Sequence, residues 1–435
     1  MSSTTISFYG GLTSIGGVHV LVENEGSGLV FDFGVPVDRR GLFAPAMQPD
    51  AAELLSTFLR TKMAPPLLDL YAPEYIVDVS ARQLERVWET DHLPGAQSER
   101  AVFVSHIHQD HMTLLRFAAE GLPVYMHRDA KIVYECVEES GEYQGSQADI
   151  RGLEHGDAVS IGSLELTLLE HDHDTPGASG FILRTPDGTI GFTGDWRRHG
   201  RHADRIDRFI DACRDAECDV LITEGTTLNT APWGRSSTPI TELEVTERYR
   251  ELLAGASGLV YVNVLARNTE RMADIITATH DADRLLAMDR RTALFWDTAL
   301  RAGMHALTGY DRACEASIRM IADDGPATRL PYRTVTLAEV ASEPSAFAYY
   351  IILETTNRIA AIETALPTGH PRSSYFHADG NPLSDSDAVL HRWFYYYGID
   401  YCNHSTGGHA DPASIEDLVQ RIRPRVVESP DTFRS

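Results

Sequence analysis

The stretch "VSHIHQDHM", residues 104–112, places His106, His108, Asp110 and His111 within six positions, directly after the apolar run 101–104. A core histidine accounts for one such residue. Four groups able to bind a metal or move a proton, ordered this closely, point to a metal site. In an extended segment, side-chain alternation puts His106 and His108 on one side, while Asp110 and His111 continue around a loop. The strand-like "AVFVS" (101–105) delivers the cluster to a strand–loop junction, where site residues concentrate.

A pair of divalent ions needs more ligands than this cluster holds. Three imidazoles, or two and a carboxylate, suit zinc, and an acidic group commonly bridges to a second ion. Downstream, "EHDHDTPGASG" (170–180) sets His173 beside a proline–glycine turn, and "TIGFTGD" (189–195) carries Asp195 at the end of an apolar strand. His171 lies two residues from His173, and Gly–Asp pairs are common at turns. Order and context therefore carry these two assignments.

The chain has 435 residues, enough for two or three domains. Hydrophobic content of 43% and charged content of 23%, with no long apolar stretch, indicate a soluble globular protein. The start, "MSSTTISFYGG", lacks the basic and apolar regions of a signal peptide. The five cysteines (136, 213, 218, 314 and 402) are scattered and odd in number. That usage suggests a reducing compartment, and the expected location is cytoplasmic. A net charge of −25 argues against a protein that coats nucleic acid nonspecifically. Arg197, Arg198, Arg201, Arg205 and Arg208 form either a local basic path or a solvated helical face balanced by Asp204, Asp207 and Asp211.

Short strands and tight turns open the chain: "TISFYGG", "GVHVLVEN" and "SGLVFDFG". Helical spacing appears at 50–62 after an Asp50 cap, again at 112–120, and at 129–139. "LELTLLEH", "SGFILRTP" and "TIGFTG" restore strand character. From about 208 the order becomes helix, strand, helix, with buried-type strands "DVLIT", "GLVYVNV" and "AFAYYIIL". Parallel strands with crossover helices fit this region, and the whole reads as α/β.

These motifs and their order resemble the metallo-β-lactamase superfamily and, within it, the β-CASP nucleases, which include ribonuclease J and the polyadenylation-factor endonucleases. "GGLTSIGG" and "VFDFG", with Asp32, are similar to the family's opening motif, and His106, His108, Asp110 and His111 to its histidine signature. His173 in "HDTPGAS" and Asp195 in "FTGDW" match the third and fourth motifs. "LITEGT", with Glu224, resembles the β-CASP acidic motif, "LARNTERM" the opening of its inserted domain, and "NHSTGGHADPASIEDL", with His409, its closing histidine motif.

The resemblance covers almost the whole chain. It implies an αββα metallo-β-lactamase sandwich in residues 1–224, an inserted β-CASP α/β domain in 225–395, and a return to the sandwich in 396–435. It further implies a zinc-dependent nuclease hydrolysing phosphodiester bonds, with single-stranded RNA as the expected partner, no membrane, and self-association open. His106, His108 and His173 would hold one zinc, Asp110 and His111 a second, with Asp195 bridging. Asp110 would also orient the attacking hydroxide, Glu224 fix a histidine tautomer, and His409 stabilise the phosphate or protonate the leaving oxygen. Asn268, Arg271, Gly380, Asn381, His404 and Thr406 are candidates for holding substrate phosphates. The alternatives are a catalytically impaired nucleic-acid-binding or scaffold relative, and a metallo-hydrolase of a small ester or thioester.

One position departs from the pattern. β-CASP ribonucleases carry a further histidine about 22 residues past the one matched by His409; here Asp431 stands at that place, and no histidine follows His409. A carboxylate also ligates zinc, so Asp431 is either a substitute ligand or part of a polar turn near the terminus. On both readings up to two zinc ions bind, and the second binds more weakly.

Overall fold

A computed structural model of the chain describes residues 3–12, 14–36, 50–228, 239–322, 330–379 and 387–430. The chain forms two compact units: Met1–Tyr134, Tyr143–Ser237 and Gly408–Ser435 make the first, Glu135–Glu142 and Thr238–Gly407 the second.

Among the described residues, the first unit is built on two six-stranded sheets. One begins as an antiparallel meander of Thr5–Gly10, His19–Asn24 and Ser27–Phe31, and continues in parallel through Glu99–Phe103, Pro123–His127 and Asp149–Leu153. The other runs in the order Val426–Glu428, Val220–Ile222, Gly188–Phe192, Ser179–Thr185, Leu164–Glu170, Ala158–Ile161. Alternate residues of both sheets turn inward to one core that holds Val20, Val22, Leu29, Phe31 and Phe103 together with Leu166, Leu168, Phe181 and Phe192. The Phe181 ring meets those of Phe31 and Phe103 edge-on, at 5.1 and 5.0 Å between centroids. Each such ring contributes roughly 2–3 kcal/mol of burial.

Helix Asp204–Asp215 buries Ile206, Phe209, Ile210 and Cys213, an apolar stripe at helical spacing. With helix Pro412–Ile422 it packs against Ile182 and Leu221 on the other face of the second sheet. The second helix starts at Asp411, whose carboxylate accepts from the Ala413 and Ser414 amides, and Pro412 occupies its first turn. Facing sheets with helices outside are consistent with the expected αββα sandwich.

The second unit carries a seven-stranded sheet among its described residues, ordered Arg333–Val335, Ile318–Ile321, Leu285–Met288, Phe347–Tyr350, Val260–Asn263, Ser374–His377, Asp400–Asn403. Every pairing is parallel. Its central strands are buried throughout, as sheets covered on both faces require. Because Asp400–Asn403 pairs with Ser374–His377, this unit extends past residue 395. Several of its strands have only three or four residues, too short for hydrophobic alternation to reveal in sequence.

Candidate metal centre

Strand pairing brings the motif residues of the first unit to one end of its two sheets. Phe31 pairs with Phe103 in one sheet, and Phe192 with Ile222 and Phe181 in the other. The segments leaving Phe31, Phe103, Phe192 and Ile222 therefore carry Asp32, His106–His111, Asp195 and Glu224 out at the same level. Residues 171–178 enter Ser179–Thr185 at that end. The helical stretch expected at 112–120 starts earlier, at Gln109–Met112, because the His108 carbonyl accepts from the His111 and Met112 amides. Asp110 and His111 thus sit on a helical turn, and residues 113–117 follow as a 3-10 helix.

Among the described residues, three groups of side chains have metal-ligand spacing: His106, His108 and His173; His106, His111 and Asp195; and Asp195, Glu224 and His409. His108 Nδ1 lies 3.1 Å from His106 Nε2 and 3.3 Å from His173 Nε2. Asp195 Oδ2 lies 3.4 Å from His111 Nε2, 3.8 Å from His106 Nε2 and 3.6 Å from His409 Nδ1. Asp110 Oδ2 is 3.5 Å from His111 Nε2.

Outer partners aim these rings. Ser105 Oγ donates to Asp32 at 2.9 Å and meets His106 Nδ1 at 2.9 Å. With its one proton committed to Asp32, that hydroxyl accepts from His106 Nδ1–H and leaves the Nε2 lone pair facing inward. His111 Nδ1 lies 2.8 Å from the same Asp32 carboxylate, and His173 Nδ1 2.7 Å from the Gly408 carbonyl, so both likewise turn Nε2 inward. His409 Nδ1 lies 2.8 Å from Glu224 Oε2, while Glu224 Oε1 accepts from the Trp196 and Ala410 amides. Asp32 is fully buried and holds φ at +23°, a conformation retained only where the surroundings fix it.

Two glycines permit the packing. A Cβ on Gly34 would lie 1.8 Å from the Asp110 carbonyl oxygen, and one on Gly408 would lie 2.3 Å from the His173 ring. Gly34 was visible only as part of a motif, and Ser105, Gly408 and Asp174 carried no signal of their own, because their partners are remote in sequence.

Protonation matches metal binding at His106 and His173, whereas His111 holds a proton that an ion would displace. Burial, reinforced by neighbouring imidazoles, holds His106 well below the usual histidine range, and burial pushes His173 down to about 4. At His111, burial is outweighed by the carboxylates of Asp195, Asp110 and Asp32, which together raise its pKa well above the usual value. Burial of Asp195 is in turn outweighed by His111 and His409, which keep it ionised. Among the described residues, the buried Nε2 of His111, which faces Asp110 and Asp195, makes no hydrogen bond. Inward nitrogen and carboxylate donors, closely spaced and unanswered by the protein, fit a divalent ion.

The residues considered for substrate phosphates are placed otherwise. Arg271 has no solvent exposure; its guanidinium grips Glu242 at 2.5 and 2.9 Å and also bonds Asp379 and the carbonyls of Ala378 and Thr406. Asn268 caps its helix by accepting from the Arg271 amide. These are structural roles in the second unit. Thr406 is buried, and the His404 amide bonds the His377 carbonyl. Gly380, Asn381 and Asp431 lie outside the described residues. The arginines after 195 face acids: Arg197 pairs with Asp172, Arg198 with Asp207 and Asp417, Arg205 with Glu170, and Arg208 with Asp204. No basic path forms from these four: Arg205 and Arg208 lie on the charge-balanced helix, while Arg197 is buried against Asp172 and Arg198 precedes the helix. No described helix is long and apolar enough to cross a membrane.

Residues 76–252 match the Beta-lactamase superfamily domain. Ribonuclease J of Thermus thermophilus is 26% identical over 218 residues, 47% of this chain and 37% of that protein. Ribonuclease J of Sinorhizobium meliloti is 25% identical over 190 residues, 42% of this chain and 33% of that one. The matches thus span about a third of the length of these relatives. A crystal structure of a protein of unknown function from Enterococcus faecalis superposes with a TM-score of 0.77 at 22% identity, covering 99% of this chain and 94% of that one. That likeness concerns the fold.

Proposed function

We propose that this chain, which belongs to the metallo-β-lactamase superfamily and to its β-CASP, ribonuclease J-like family, is a zinc-dependent nuclease that hydrolyses phosphodiester bonds in RNA. One observation carries the reading: three imidazoles converge with nitrogens 3.1 and 3.3 Å apart beside a carboxylate, Asp195, shared with His111 and His409. In this reading the second unit is the inserted β-CASP domain.

His106, His108 and His173 would hold one ion and Asp110 and His111 a second, with Asp195 common to both. A divalent zinc held there would lower the pKa of water from about 16 to roughly 7, so that the water releases a proton to solvent and attacks as hydroxide, and would polarise a phosphoryl oxygen. The chain's own groups supply the rest. Asp110, on its helical turn, orients the attacking water towards phosphorus and accepts its hydrogen bond. Glu224 accepts from His409 Nδ1–H, which holds that ring in place. His409 then delivers a proton from Nε2 to the departing oxygen as the P–O bond breaks.

The test is cleavage of labelled single-stranded RNA and DNA, with metal analysis after zinc-supplemented purification. Up to two zinc ions per chain are expected, one tight and one washing out. RNA cleavage should stop on chelation and in Asp110→Ala, and binding should weaken with salt. A metal-free protein, or cleavage that survives both treatments, overturns the assignment.

A further inference from the structure

One carboxylate beside the centre has no role in the scheme above. Asp174 is buried, and its Oδ1 lies 3.2 Å from His108 Nε2 and 3.1 Å from His173 Nε2. Among the described residues neither His108 Nε2 nor Asp174 Oδ1 makes a hydrogen bond, although they lie within reach of each other. His106, His111 and His173 each have an outer group holding Nδ1: Ser105, Asp32 and the Gly408 carbonyl. His108 is turned the other way round. Its Nδ1 faces His106 Nε2 and His173 Nε2, so Nε2 is the outward nitrogen.

A neutral imidazole carries one proton. If Nδ1 offers its lone pair to the centre, the proton resides on Nε2, and Asp174 Oδ1 is the acceptor in reach. We propose that Asp174 is the positioning residue for His108, accepting its Nε2–H and thereby fixing the ring orientation and tautomer in which Nδ1 binds the metal.

The surroundings make Asp174 suited to that task. It follows His173 directly and precedes Thr175 and Pro176, so the segment that aims one imidazole also carries the acceptor for another. A Cβ on Gly408 would lie 2.9 Å from Asp174 Cγ, which shows how closely the residue 408 backbone confines this carboxylate. The same oxygen stands 3.1 Å from His173 Nε2, whose proton is on the opposite nitrogen. Two acceptors this close repel unless a positive group shares the space. The His108 N–H supplies part of that compensation, and a bound cation supplies the remainder.

The inference rests on the metal-centre reading, and the experiment separates the two. Zinc affinity of the full chain is measured by chelator competition for wild type, Asp174→Ala and Asp174→Asn, with thermal unfolding confirming that each is folded. The asparagine amide oxygen still accepts from Nε2–H, so Asp174→Asn should bind the tight zinc within about threefold of wild type. Asp174→Ala should bind it about 10- to 100-fold more weakly, the usual cost of removing a partner that orients a ligand. In cobalt-substituted protein, Asp174→Asn should keep the wild-type visible absorption spectrum, because the ligand atoms are unchanged. If both variants bind zinc like wild type, Asp174 positions nothing and the proposal fails. Should asparagine be as damaging as alanine and the cobalt spectrum change, the carboxylate is itself a ligand and the positioning role is wrong. If the wild type binds no metal, the metal-centre reading fails first.

Discussion

Two regions of this molecule bury charged side chains, and they do so to opposite effect. Around Arg271 in the second unit, the guanidinium meets two carboxylates and two carbonyls. Around His106 in the first unit, the rings of His106, His111 and His173 are satisfied on their outward side; inward, His111 Nε2 makes no hydrogen bond and several nitrogens and carboxylates face one another. A satisfied network rigidifies a core, whereas a shell of inward donors without hydrogen-bond partners costs stability unless something binds there. Burial alone does not separate structure from function. The direction in which the unanswered atoms point does.

Arg271 gives the largest expected effect that tests this contrast. Arg271→Ala strips Glu242 of its bidentate partner inside the protein, and breaking such a pair costs roughly 3–5 kcal/mol. Chemical denaturation should show that loss, while zinc content stays at the wild-type level. The sequence pointed to Arg271 as a phosphate-binding group. If Arg271→Ala keeps its stability and loses only affinity for RNA, Arg271 is a phosphate-binding group and the contrast collapses.

What was legible in the sequence follows the same division. His106, His108, Asp110 and His111 announce themselves because they are close in sequence and chemically improbable as core residues. The parallel, buried character of Val260–Asn263 and Phe347–Tyr350 shows in their apolar runs. The burial of Arg271 was not legible because "NTER" displays its residue types but not Glu242, Asp379 and Thr406, which approach from 29, 108 and 135 positions away. Ser105 and Gly408 were silent for the same reason: a hydroxyl bridging to Asp32 and a carbonyl accepting from a distant ring leave no local pattern.

His19 provides a smaller effect, in pH. It is buried, and its Nε2 lies 2.8 Å from the Gly34 carbonyl oxygen, to which its N–H donates. Burial pushes its pKa from 6.5 down to about 4. The folded chain therefore keeps His19 neutral where the unfolded chain binds a proton. Stability is fully present above pH 6.5 and falls as pH drops from there towards 4, by about 1.4 kcal/mol per pH unit at most and on the order of 3 kcal/mol in total. Denaturation of chelated protein at several pH values should show a slope to which His106 and His173 also contribute, and His19→Gln should reduce it by up to about 1.4 kcal/mol per pH unit. A variant with the wild-type slope would assign the acid sensitivity elsewhere.

Ser105 sharpens the comparison most finely, because it removes one outer partner and leaves the inward atoms in place. In wild type its hydroxyl donates to Asp32 Oδ2 and accepts from His106 Nδ1–H, while its amide donates to Asp32 Oδ1 at 2.7 Å. Ser105→Ala keeps the amide bond and the fold but leaves His106 Nδ1–H without its acceptor. Loss of such an orienting partner weakens metal binding by about 10-fold, the lower end of the usual range. Chelator competition reads that change, and Ser105→Thr, which retains the hydroxyl, should recover most of it. If Ser105→Ala binds zinc as tightly as wild type, the rings are held by packing alone. The hydrogen bonds outside the centre would then be as structural as those around Arg271.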